Sequence, residues 1–202
     1  MAGSAQSEVS SFWAWFEKHR DELAADEMDS KLVEELDTRV RRMGNFDWEV
    51  GPGRKEPCFF ALSPAGEVET LSETRRVIDQ APKLPGWELH PAKPPRQWLL
   101  EFDLDRDGTD VAVDGKEWEV VVYRFKDGTF DVLLKPPEDS DLSDEEAEWA
   151  ARVLVDGELG EAVALELVNE LETVRTWDEK AEPKARKLEV GLLSSIVGAE
   201  RH

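Results

Sequence analysis

Residues 116–135 read KEWEVVVYRFKDGTFDVLLK, and the fold turns on them. Trp118, Val120 and Val122 recur at every second position, the period of a half-buried strand. Asp127-Gly128 is a hairpin-turn pair, because both residues tolerate the positive φ angles that a tight reversal needs. Phe130, Val132 and Leu134 then form the return strand. A short turn can join only antiparallel neighbours, since parallel strands need a long crossover.

The same alternation extends towards the N-terminus. Trp98, Leu100, Phe102 and Leu104 predict a strand over 97–104, and Trp87 and Leu89 a short one from Gly86 to His90. Phe46, Trp48 and Val50 predict a strand that Gly51-Pro52-Gly53 breaks, with Cys58 to Leu62 as its partner. Before these strands the period changes to that of a helix. Val9, Phe12, Trp13, Phe16 and Leu23 make one aromatic face over 8–25, with Trp15 off it, and Leu32, Leu36, Val40 and Met43 make another over 29–43. Thr70-Leu71-Ser72-Glu73 has the spacing of a capping box opening a helix to about Gln80. Beyond the hairpin, Ser143-Asp144-Glu145-Glu146 is a second capping box. It opens a helix with Ala147, Ala150, Ala151 and Leu154 inward, which Gly157-Glu158-Leu159-Gly160 breaks. A helical turn over 161–167, a strand over 168–175 and a terminal helix with Leu188, Leu192, Leu193 and Ile196 complete the chain.

Runs of strands beside runs of helices indicate α+β, a mostly antiparallel sheet packed against N-terminal aromatic helices, with C-terminal helices. The expectation is one domain over 1–202, with 1–7 a frayed terminus and 136–142 an acidic linker to a helical segment 143–202. No sequence repeat is evident.

Composition sets the function classes. The 202 residues include 46 acidic and 25 basic side chains, a net charge of -21. That balance disfavours nucleic acid and anionic membranes, both of which require clustered Lys and Arg. No apolar run reaches the length of a membrane span, and no secretion signal is recognised, so a cytoplasmic location is expected. The acidity has three readings: a solubilising surface, steering towards a basic protein partner, and mimicry of a nucleic-acid backbone as in immunity proteins. Eight Trp and eight Phe supply a sizeable core.

No catalytic motif stands out, neither G-x-S-x-G, nor H-E-x-x-H, nor a P-loop, so no catalytic or cofactor-binding residues are assigned. His19 reads as a boundary side chain and His202 as a terminal one, whereas His90 would serve as a base if an acid lay across from it. Cys58 reads as a small buried hydrophobe. One motif is sharp. Asp103, Asp105, Asp107, Thr109 and Asp114 have the spacing of a calcium loop, with Gly108 at the bend. Asp110 and the short Asp114 depart from the usual pattern, the flanks read as strands, and Asp-Gly also favours a plain hairpin turn. Trp13, Trp15, Trp87 and Trp98 are the candidates for lining a partner-binding groove, against the alternative that they fill the core.

The stretches Phe12-Trp13-Ala14-Trp15-Phe16, Trp48-Glu49-Val50-Gly51-Pro52, Leu62-Ser63-Pro64, Ala81-Pro82-Lys83-Leu84-Pro85-Gly86-Trp87-Glu88 and Leu159-Gly160-Glu161 together resemble a family of uncharacterised bacterial proteins. Its members begin with an FWxWF helix and continue with a WEIG strand, an LSP turn and an AP..PGW segment. The resemblance implies a bacterial, cytoplasmic α+β protein and carries no catalytic residues with it. The expected function is a non-catalytic, acidic protein-interaction domain. The alternatives are an immunity-type inhibitor of a basic toxin or nuclease, and an enzyme using His90 with a carboxylate.

Overall fold

Aromatic side chains at helical spacing must leave water together, and in the computed structural model, which describes residues 2–25 and 27–198, they do so against a small sheet. Helix α1 (Ala2–Leu23) presents Phe12, Trp13 and Phe16 to strand residue Phe60, with ring centroids 5.0–6.1 Å apart. It starts earlier than expected and takes in residues 2–7. Gln6 fixes this end, its Nε2 donating to Gln80 Oε1 at 2.5 Å. Met1 and His202 lie outside the described residues. Helix α2 (Ser30–Met43) starts at Asp29, whose carboxylate accepts the Lys31 N–H at 2.9 Å, and adds Leu32, Leu36 and Val40 to the same core. Trp15, set off the first face by the sequence, is buried too, with the Arg39 guanidinium 4.9 Å above its ring.

Strands β1 (Asp47–Pro52) and β2 (Cys58–Ser63) form the expected hairpin, Val50 opposite Phe60. Helix α3 (Val68–Ile78) then carries the chain to β3 (Trp87–His90), which runs parallel to β2. The expected capping box at Thr70 does not form. The turn ending at Gly66 leads directly into α3, so Thr70 already sits in the first turn, its N–H donating to Glu67 O at 3.0 Å.

Strands β4 (Glu101–Arg106) and β5 (Thr109–Asp114) make a separate two-stranded sheet. Leu100, at φ 63°, interrupts the extended backbone, so this strand starts later than the alternation suggested. The hairpin that decided the fold class is present as β6 (Glu119–Arg124) and β7 (Phe130–Lys135), Val122 opposite Val132. Helix α4 (Asp144–Leu159) opens with the capping box anticipated at Ser143 and Glu146. It continues through Gly157 and breaks only at Gly160, whose φ of 81° suits glycine. Helix α5 (Glu161–Leu167) follows, then β8 (Val168–Thr173) parallel to β7, β9 (Arg186–Lys187) beside β6, and α6 (Leu192–Val197). Trp118, Phe130, Val132 and Leu134 pack with Ala150, Ala151 and Leu154 of α4 in the core.

The fold is α+β. Where one domain with a linker at 136–142 was expected, the chain divides into two compact units, Met1–Pro94 and Pro95–His202. Residues 136–142 belong within the second unit, because Leu142 is drawn into its core. One connection recurs in both. An antiparallel hairpin (β1-β2, β6-β7) is followed by a helical crossover to a strand parallel to its second member (β3, β8). Among the described residues no helix is long and apolar enough to cross a membrane.

Candidate functional site

In the second unit three aromatic rings form a ladder. Phe102 on β4 lies 5.8 Å from Trp98 and 6.4 Å from Trp149 on α4, centroid to centroid. Trp98 is half-buried because its indole lies on Gly157, where any side chain would collide with the ring. Trp149 is 55% exposed. It follows Glu148 and falls outside the stripe of Ala147, Ala150, Ala151 and Leu154 that enters the core. A tryptophan off the buried face of an otherwise well-patterned helix was the available signal for this site, and the sequence reading passed over it.

Beside Trp149 lies an open cavity of about 330 Å³, lined by Leu104, Asp105, Glu145, Glu146 and Trp149. Its electrostatics follow from what each carboxylate already holds. Glu146 accepts two hydrogen bonds from Arg106, Nε to Oε1 at 2.6 Å and Nη2 to Oε2 at 3.0 Å, and one from the Ser143 N–H at 2.7 Å. The guanidinium and the amide hold its carboxyl at about 2. Asp105 accepts the Gly108 N–H at 2.6 Å within the turn. Among the described residues neither Asp105 nor Glu145 enters an ion pair.

The proposed calcium ligands are not brought together. Asp107-Gly108, with φ angles of 52° and 81°, forms a two-residue hairpin turn, as Arg106 pairs with Thr109. Asp103 and Asp105 therefore stand on extended backbone, and Asp114 faces Glu101 at the far end of the hairpin. A calcium loop would instead curl its alternate carboxylates around one point. Asp114 accepts the Lys116 N–H at 3.0 Å. Among the described residues no group of three or more His, Cys, Asp and Glu is arranged to hold a metal. The alternation leaves Glu101, Asp103, Asp105, Asp110 and Asp114 exposed along the hairpin, with Asp105 directly opposite Asp110.

Of the four candidate groove tryptophans, Trp13, Trp15 and Trp87 are buried in the core of the first unit, where ring–ring packing claims them. The Trp13 indole N–H is spent on Val77 O at 3.0 Å. A shallow cavity of about 480 Å³ does reach Trp13, along α1 and Pro82, but the ring itself is covered. Only Trp98 belongs to an open aromatic surface.

His90 has the acid that its reading required, but from its own strand. Its Nε2 is 3.4 Å from Glu88 Oε2. Glu88 Oε1 accepts the backbone N–H groups of Arg54 (2.5 Å), Lys55 and Glu56 (2.9 Å). These amides, that of Glu56 foremost, hold the Glu88 carboxyl at about 2. Burial keeps the His90 imidazole below its usual range although Glu88 pulls the other way. The carboxylate thus anchors the 54–56 loop. Cys58, expected to be buried, is half-buried at the rim of the aromatic core, and His19 sits 5.0 Å from the Trp15 ring as a boundary residue.

Comparison of the chain with family models, with curated proteins and with solved structures returns no match.

Proposed function

We propose that this chain is a non-catalytic, cytoplasmic protein-interaction domain that engages a basic protein. The observation carrying the reading is Trp149, a large indole left in solvent at the end of an aromatic ladder and beside a carboxylate-rimmed cavity. Exposed aromatic side chains of this kind are the residues that supply most binding energy at protein interfaces. Capture on the immobilised chain from a lysate of the source cell tests it. A protein retained by the wild type and lost with Trp149→Ala supports the reading, and identical profiles for the two chains refute it.

A second reading, an immunity-type inhibitor of a basic toxin or nuclease, is favoured by the row of carboxylates on the β4–β5 hairpin. Acids on one sheet face repeat roughly every 7 Å along a strand, a spacing suited to a surface that binds cations. Co-expression with a toxin-like product of a neighbouring gene decides it. Survival of the cells supports the reading, and killing undiminished by the chain rejects it.

A further inference from the structure

We infer that the cavity beside Trp149 is the seat for one cationic side chain, an arginine or lysine presented by a segment of the partner protein. The inference rests on the protein-binding reading above and names the group that would anchor the partner.

The floor of the cavity is apolar and its rim is anionic. Leu104 is buried beneath it, and the indole of Trp149 stands open at its side. Two acids of α4 border the opening, Glu145 and Glu146, and Glu146 is already neutralised by Arg106. Glu145, four residues before Trp149 on the same helix, has no counter-ion among the described residues. Asp105 shares the other face of the hairpin with Asp110, away from Leu104, and adds only to the negative field around the opening. The site therefore offers an aromatic face, an apolar contact and one uncompensated negative charge within one opening.

Only one kind of occupant satisfies all three. A guanidinium or ammonium stacks on an indole face, its N–H groups reach the Glu145 carboxylate, and its methylene stem covers an apolar floor. Arginine fits best, since its planar fork serves stacking and carboxylate pairing together. An apolar side chain would cover Glu145 without pairing it, which costs free energy. An anionic ligand is repelled. A second copy of this chain brings another -21 of net charge against the same rim.

The test uses the full chain labelled at its indole nitrogens, with the Trp149 resonance assigned by its loss in Trp149→Phe. The probe is a capped peptide of alternating arginine and alanine, with its citrulline counterpart as the uncharged control. The expected result is a saturable shift of the Trp149 signal, weaker at higher salt. Affinity is expected to fall by about tenfold in Trp149→Ala and in Glu145→Gln. Both side chains are exposed, and unchanged melting curves confirm that the variants fold.

Equal affinity of the arginine peptide for the wild type and both variants would overturn the inference, because attraction would then be spread over the acidic surface. So would a silent Trp149 signal. Equal binding of the citrulline peptide would remove the cationic anchor yet leave the protein-binding reading standing. A Trp149 signal that moves with the chain's own concentration would make a second copy the occupant and also overturn it. Loss of the wider reading has its own signature, the absence of any Trp149-dependent partner in the capture experiment.

Discussion

Arg106 clasps Glu146 through two nearly parallel hydrogen bonds, 2.6 Å and 3.0 Å long, and so ties the last residue of β4 to the first turn of α4. The same Glu146 closes the capping box by accepting the Ser143 N–H, while Ser143 Oγ accepts the Glu146 N–H at 3.2 Å. One carboxylate thus caps a helix and docks it on a strand, and it borders the Trp149 cavity.

The junction has a measurable weight. Ser143→Ala removes only the cap and is expected to cost about 1 kcal/mol in denaturant unfolding. Glu146→Ala keeps that cap but removes its reciprocal bond from the Ser143 N–H together with the Arg106 pair, so its melting temperature is expected below that of Ser143→Ala. A Glu146→Ala protein as stable as Ser143→Ala would show that the ion pair contributes nothing.

Gly157 is expected to be intolerant of any side chain. A Cβ there would lie 2.7 and 2.9 Å from two atoms of the Trp98 indole, and closer still to a third. Gly157→Ala should therefore displace Trp98 and cost about 1–3 kcal/mol by overpacking. The accompanying sign is an altered Trp98 fluorescence spectrum, read against Trp98→Phe as the reference.

Phe60 is fully buried under Phe12, Trp13 and Phe16. Truncation to Ala is expected to cost about 3–5 kcal/mol, whereas Phe60→Leu, closer in volume, should recover much of that loss. Urea unfolding followed by tryptophan fluorescence distinguishes the two.

Glu88 gives a pH dependence of known sign. Its carboxyl is held at about 2 in the folded chain against 4.5 ordinarily, so its stabilising contribution is complete above the ordinary value and is lost as pH falls towards 2. The amide resonances of Arg54, Lys55 and Glu56 should titrate together with a midpoint near 2, and Glu88→Gln should abolish that titration. His90 acts in the same direction at higher pH. Burial disfavours its charged form, so stability also falls as pH drops through the ordinary imidazole range near 6.5. A His90 midpoint above that value in a proton NMR titration would contradict the burial.

What was legible in the chain was local. The Ser143–Glu146 box, the Asp127-Gly128 turn and the alternation of Val120, Val122, Val132 and Leu134 depend on neighbours a few residues away, and all are present. The aromatic face of the first helix was readable for the same reason, since its period alone puts Phe12, Trp13 and Phe16 together. The Asp103–Asp114 stretch had two local solutions, a curled metal loop or a tight hairpin. Alternation on both flanks and positive φ at Asp107 and Gly108 settled it as the hairpin.

The sequence by itself determined where most of the strands and helices lie and that they belong to an α+β fold, because periodicity, caps and turns are short-range chemistry. Only the tertiary structure decided that β3 and β8 run parallel to their neighbours, that the chain divides after Pro94, that Trp13 and Trp87 are covered, and that Trp149 is not. Those outcomes depend on which distant surfaces meet. An indole carries the same free-energy incentive to leave water at every position, and only the shape of the folded surface determines which one fails to find cover.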